Sequence, residues 1–381
     1  MLTGLVMFAC RPDARSGGDG DRTSGHAASG RWTQGQEWRL VEEFRIGSAD
    51  GGDAYMFTII SGLALDDLGR VWVADAQLLN LRVYDSKGVH LRTVGKKGGG
   101  PGEFRWISGM DRRPDGELLV LDSGNSRFAV FDTTGKAVAT QPRSTNVSTT
   151  PWPGRIDSRG RLYDVAMIRR GSSAGTDALV RFDTAFQPVD TFPLPEFEEQ
   201  YFEISRRQGN NRDVSRVNVP FAPSQVWSVD PQGYVWIAVT DRYRLERRSF
   251  DGRVDRVIER EHTPVPVTDA DRRCALGFYG DFIKKGGKID ESRIPDTMPA
   301  LASFFFDDMG RLWVMPRANA GDNPVLDVFE PTGEYLGRVH ATERLIVGPG
   351  PAVRGDRMAA VTIDDDGVQS VVVFRIEKPA A

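Results

Sequence analysis

The chain has 381 residues, is 40% hydrophobic and 27% charged, and carries a formal net charge of −4. No segment approaches the ~20 consecutive apolar residues that a membrane-spanning helix needs. The weakly acidic balance, with no basic run interleaved with aromatics, argues against a nucleic-acid partner.

The first element is Met1-Leu-Thr-Gly-Leu-Val-Met-Phe-Ala-Cys10, an apolar run ending in a small residue and a cysteine. It resembles a bacterial lipoprotein signal, in which the cysteine becomes the acylated first residue. It departs from that pattern in lacking a positive n-region and in its short apolar run. Residues 11–37 are rich in Gly, Ser, Asp and Arg. They cannot bury enough apolar area to offset ordering entropy and are expected to form a disordered tether. The expectation is a protein of the bacterial cell envelope, lipid-anchored through Cys10 in the periplasm or on the outer membrane. Acyl chains contribute ~0.8 kcal/mol per buried CH₂, so several make the anchor effectively permanent.

Residues 38–381 read as one domain. Trp38–Ile46 is a strand without a partner nearby in sequence. An Asp-x-x-Gly turn followed by an alternating apolar strand then recurs, with turn glycines at Gly69, Gly116, Gly160, Gly233, Gly310 and Gly355. Glycine suits a turn position with positive φ, and aspartate hydrogen-bonds its own backbone there. A second turn follows each strand pair, as at Asp85–Gly88, Asp132–Gly135, Asp251–Gly252 and Glu330–Gly333. Two hairpin turns per unit give four strands, and a repeat of about 45 residues marks a propeller. The fold expected is therefore all-β: a six-bladed β-propeller of four-stranded blades with a small helical insertion. Its sixth blade, ending near Val371–Ile376, is one strand short. Pairing with the Trp38–Ile46 strand would close the ring and remove the open edges. Tryptophans at the second-strand position (Trp72, Trp236, Trp313) fit a packed core between blades.

The second unit, with Gly98-Gly-Gly-Pro-Gly-Glu-Phe104, Val120-Leu-Asp-Ser-Gly-Asn-Ser-Arg127 and Val130-Phe-Asp132, resembles the NHL-repeat family of six-bladed propellers. The first unit matches partly (Val73-Ala-Asp75, Leu81–Asp85), and the other four keep only the turn-and-strand skeleton. The resemblance implies a scaffold. Family members include ligand-binding, protein-binding and lyase proteins, so the fold does not choose a function.

Two connectors break the period, at about 193–223 and 262–299. Both leave the disc on the face that carries the loops between second and third strands. The second contains a helix: Thr268 and Asp271 form a capping pair, Cys274, Ala275, Phe278 and Phe282 share a side, and Lys284-Lys285 precede Gly286-Gly287. Its apolar side is expected to pack on the disc. The same face carries Arg127, Arg169, Arg170, Arg242 with Tyr243, and Arg317, the candidate ligand-binding residues. Guanidinium forks converging near a channel suit an anionic group.

Catalytic patterns are sparse. The four histidines, His26, His90, His262 and His340, do not fall where a three-histidine metal site is easily assembled. Asp66, Asp111, Asp157, Asp230 and Asp307 could serve a divalent ion, yet each lies at or near a repeat turn. Gly95–Gly102 lacks the Gly-Lys-Ser/Thr ending of a phosphate loop. The reading is a non-catalytic, monomeric binding propeller with no cofactor, recognising a protein, peptide or glycan and touching the membrane only through its lipid. The alternative is a metal-dependent lyase or lactone hydrolase with a divalent cation such as Ca or Zn in the central channel.

Overall fold

The computed structural model describes residues 30–379 except 49–50, 146, 148, 169–175, 209–210, 319–323 and 365. It is a six-bladed ring of four-stranded antiparallel blades. Blade 1 comprises Ile60–Leu65, Val71–Asp75, Asn80–Tyr84 and His90–Val94, and blade 2 Ile107–Arg112, Leu118–Asp122, Arg127–Phe131 and Ala137–Pro142. Blade 3 comprises Arg155–Ile156, Leu162–Ile168, Thr176–Phe182 and Pro188–Pro193, and blade 4 Gln225–Val229, Val235–Val239, Arg244–Arg248 and Val254–Glu259. Blade 5 comprises Leu301–Phe306, Leu312–Pro316, Val325–Phe329 and Tyr335–His340. Blade 6 has only Ala352–Arg354, Arg357–Ile363 and Gln369–Glu377 of its own, and its outer strand is the N-terminal segment Arg39–Ile46.

That closing strand runs antiparallel to the last strand, from Arg39↔Glu377 to Ile46↔Val371, with one bulge between Glu42 and Phe44. Its alternate residues are wedges. Leu40 joins Trp313, Leu326, Met358 and Phe374 between blades 5 and 6. Ile46 joins Ile60, Val73, Tyr84 and Val361 between blades 6 and 1. Ring closure by the chain's first strand thus follows the sequence expectation. The ordered chain starts earlier than expected, however. Within the segment read as tether, Trp32 donates its backbone N–H to Leu336 O at 2.8 Å and its ring lies 5.0 Å from that of Trp38. Two tryptophans can bury enough area to order this short stretch against blade 5. Cys10 and its neighbours lie outside the described residues.

The repeat turns explain the recurring aspartates and tryptophans together. In blade 1, Asp66 Oδ1 accepts from Leu68 N and Arg70 N, both at 3.0 Å, while Oδ2 accepts from Arg70 Nε at 2.6 Å and Trp72 Nε1 at 2.9 Å. Blade 5 repeats the arrangement with Asp307, Arg311 and Trp313. In blade 3 a tyrosine replaces the indole, and Tyr163 donates to Asp157 Oδ2 at 3.0 Å. One buried carboxylate therefore shapes the turn, holds an arginine and anchors the aromatic that fills the wedge. Gly69 follows with φ of 71°, a conformation costly to residues with a Cβ.

The two long connectors form a crown on one face. The first is a hairpin, Tyr201–Gln208 paired with Asn211–Asn218. The second carries the helix Asp269–Gly277, whose capping box at Thr268 and Asp271 is present as expected, and a second short helix, Gly280–Lys284. Gly277 and Gly280 interrupt the single helix that the sequence predicted. The interruption turns Phe278 outward, 53% exposed, and buries Tyr279 beside Phe282. The apolar side packs on the hairpin rather than on the disc: Phe202, Val219, Tyr279, Phe282 and Ile294 make a separate core. Cys274, on the first of these helices, is not a free thiol.

Candidate functional site

On the crown face, the residues expected to bind ligand have distinct local tasks. Arg127 opens the third strand of blade 2 and spans the glycine-rich connector. Its Nη1 donates to Gly99 O at 2.9 Å, its Nη2 to Gly100 O and Glu103 O at 2.7 Å each, and its Nε to Asp122 Oδ2 at 3.3 Å. Tyr243 is buried between blades 4 and 5, and its hydroxyl donates to Asp327 Oδ2 at 2.9 Å. Burial and then the Asp327 charge push that phenol well above its ordinary value. Arg242 is exposed, 3.7 Å from Asp241. Arg317 is half-buried at the end of a blade 5 strand, where burial pushes its guanidinium down to about 10 and the charge of Arg344 adds to the effect. Arg169 and Arg170 lie outside the described residues. Arg127, Arg242 and Arg317 thus share a face but sit on three different blades.

The central channel gathers a different set. At its crown end, the connector into blade 6 meets the connector into blade 3 across the ring, and a Cβ on Gly348 would stand 3.2 Å from Pro151 Cγ. Toward the opposite face the innermost strands surround a cavity of about 340 Å³, to which Leu65, Arg112, Arg155, Val229, Phe306 and Arg354 contribute, one from each blade. Arg112 and Arg354, from blades 2 and 6, both donate to the exposed carboxylate of Asp67 on blade 1. Asp111, on the channel wall, accepts from Ile156 N at 2.7 Å and Arg112 N at 2.8 Å. Burial raises its pKa, against the nearby charge of Arg155. Arg155 itself is half-buried and makes one long bond, to Gly154 O at 3.4 Å. No carboxylate among the described residues lies within ion-pair distance of it. The sequence reading named none of Arg112, Arg155 and Arg354. The available signal was a charged residue within or beside an innermost, channel-lining strand.

Of the aspartates weighed as metal ligands, Asp66, Asp157, Asp230 and Asp307 are spent on turns and aromatic anchors. Asp111, Asp157 and Asp307 line the channel cavity, and of these Asp111 is the one not engaged by an arginine and an aromatic of its own turn. His90 sits on an outer strand, 3.0 Å from Thr93 Oγ1. Among the described residues, no three His, Cys, Asp or Glu side chains come together to hold a metal ion.

No family model matches the chain, and no curated protein matches it. The resemblance to NHL repeats therefore stays with the motifs of blades 1 and 2. Solved structures similar to it include a DUF4221 family member from Bacteroides vulgatus, 10% identical, covering 91% of this chain and 100% of that one at a TM-score of 0.49. Virginiamycin B lyase from Staphylococcus aureus is 12% identical, with 89% and 99% coverage and a TM-score of 0.46. The calcium-binding protein regucalcin from Agrobacterium tumefaciens is 14% identical, with 89% and 96% coverage and a TM-score of 0.42. The fold stands on the strand pairing above, not on these likenesses, and neither the lyase activity nor the calcium binding is carried over from them.

Proposed function

We propose that this protein is a non-catalytic binding propeller of the bacterial envelope, lipid-anchored through Cys10, that takes a protein, peptide or glycan ligand on its crown face. The observation that carries the reading is the crown itself. Two insertions from neighbouring connectors build a body with its own apolar core, which no blade needs for closure. They leave Phe278 and Ile283 exposed at 53% and 50%, beside Lys284 and Lys285. An exposed aromatic and an aliphatic residue rimmed by cations on a preformed body form the kind of patch that docks a partner. Long additions confined to one face of a rigid scaffold are where recognition is usually placed.

A photo-crosslinking amino acid at Ile283 is expected to trap a defined adduct in intact cells, whereas one at Leu68, on the opposite face, traps none. Equal adducts from both positions would refute a crown-face ligand. For the anchor, labelled fatty acid should be incorporated by the parent and not by Cys10→Ser. Mass spectrometry of the N-terminal peptide separates an acylated Cys10 from one held in a disulfide, two exclusive fates of one sulfur.

The alternative, a lyase or lactone hydrolase using a divalent cation in the channel, draws on Asp111, the one buried carboxyl there with a raised pKa. It requires a stoichiometric ion in purified protein that a chelator removes, together with activity that the ion restores.

A further inference from the structure

We propose that the channel cavity, on the side away from the crown, binds a small amphipathic carboxylate whose anionic end is held by Arg155 and whose apolar body lies against Leu65, Met110, Val229 and Phe306. The site is independent of the crown-face reading, since it uses other residues on another face.

Size comes first. A volume of about 340 Å³ lies at the lower end of small-ligand pockets. It accommodates a molecule of roughly 10–15 non-hydrogen atoms. At the crown end the connectors into blades 3 and 6 come close to each other at Pro151 and Gly348.

Charge sets the orientation. Four arginines line the cavity, Arg112 and Arg113 from blade 2, Arg155 from blade 3 and Arg354 from blade 6. Two of them, Arg112 and Arg354, are already engaged outside the lining, converging on the exposed carboxylate of Asp67 from different blades. Arg155 has no such partner among the described residues and keeps only the carbonyl of Gly154. A partly desolvated guanidinium that makes one of its five possible bonds leaves a place for an oxyanion. Asp111 does not fill it. Its carboxyl oxygens are taken by two backbone N–H groups, and burial favours its neutral form.

The walls select the class. Among the arginines the lining offers Leu65, Met110, Val229 and Phe306, beside Ser228 and the turn carboxylates Asp157 and Asp307, whose oxygens are already bonded within their turns. A fully hydrated dianion such as phosphate could meet Arg155 but would lose water against the apolar groups and leave them without a partner. A carboxylate with an apolar tail satisfies both ends.

The test uses the full chain and 4-phenylbutyrate as probe, with 4-phenylbutan-1-ol and inorganic phosphate as comparators, read by isothermal calorimetry and by thermal shift. The expected result is saturable binding of the carboxylate, at least tenfold weaker for the alcohol and for phosphate. Arg155→Met should weaken the carboxylate at least tenfold while leaving the far-ultraviolet spectrum unchanged. If that variant fails to fold, Arg155→Lys decides, because it keeps the charge but loses the planar fork; at least threefold weakening is expected. Binding of 4-phenylbutyrate that neither substitution changes would overturn the assignment to Arg155. No saturable binding at millimolar probe, or phosphate binding as tightly as the carboxylate, would overturn the ligand class.

Discussion

The indole Nε1 of Trp236 donates to Asp230 Oδ2 at 2.9 Å, and no arginine shares that oxygen. In blades 1, 3 and 5 the residue four after the turn aspartate is Arg70, Arg161 or Arg311, each bonded to it at 2.6–2.7 Å. Blade 4 has Tyr234 there, and Arg247 lies over its ring at 4.3 Å. Burial accordingly raises the pKa of Asp230, although Trp236 and two backbone N–H groups oppose the shift.

The sign of the pH effect follows. The folded state holds the Asp230 proton more tightly than the unfolded chain does. Stability from this group is therefore present at low pH and lost as pH rises from the unfolded value through the folded one. Tyr234→Arg supplies the missing guanidinium. Relative to the parent it should gain about 1 kcal/mol more at pH 7 than at pH 3, because a charge-assisted bond needs the ionised carboxylate. Urea denaturation at both pH values checks this, and an identical effect at the two would contradict it.

The closing strand makes a stronger demand. Leu40 and Ile46 are 4% and 0% exposed and seal two different blade interfaces. Leu40→Ala should cost about 2–4 kcal/mol, the range for emptying a packed aliphatic site. Deleting residues 30–46 removes the strand altogether and leaves Gln369–Glu377 as a long open edge. The expected product has a markedly lower Tm and associates with rising concentration, measurable by light scattering. A monomer that melts where the parent does would sink ring closure as the basis of stability.

Much of this ring was legible because its determinants are local. An Asp-x-x-Gly turn carries its own hydrogen bonds, and a positive φ at Gly69 or Gly310 is a property of one residue. The Thr268 capping box is equally local. The crown helices were less legible, because two glycines settle whether Phe278 or Tyr279 goes inside, and the answer depends on a hairpin some 60 residues earlier. The channel was least legible. Arg112, Arg155 and Arg354 belong to different blades, and no spacing in the chain reports that a closed ring brings them together. Arg127 shows the converse: its position in the repeat was plain, but only the structure shows all four of its acceptors.

Those acceptors give the next expectation. Arg127→Lys retains the charge yet cannot reach three carbonyls and Asp122 at once. The connector around residues 98–104 should then exchange its amides faster, with a loss of about 1–3 kcal/mol. Hydrogen exchange on those residues is the measurement. If exchange there is unchanged, the arginine is not what holds the connector, and a ligand role for it becomes the better account.

The crown supplies the last test, because its core and the ring's cores share no residue. Phe202, Val219, Tyr279, Phe282 and Ile294 all belong to the two insertions. Tyr279 ties them together, its hydroxyl donating to Asn218 O at 2.6 Å while its ring meets Phe202 edge-on at 6.5 Å. Phe282 is 4% exposed, and its ring fills the place where a Cβ on Gly287 would fall. Phe282→Ala should therefore open the crown locally, by about 3–4 kcal/mol, without loosening the disc. Amides of residues 269–284 would lose protection, while those of Val235–Val239 in blade 4 keep theirs. The same variant should lose the crosslink from position 283 if the crown is the docking body, since Ile283 adjoins the emptied site. Loss of protection spreading into blade 4 would mean that crown and ring form one cooperative unit, and the crown could then no longer be treated as a separable recognition element.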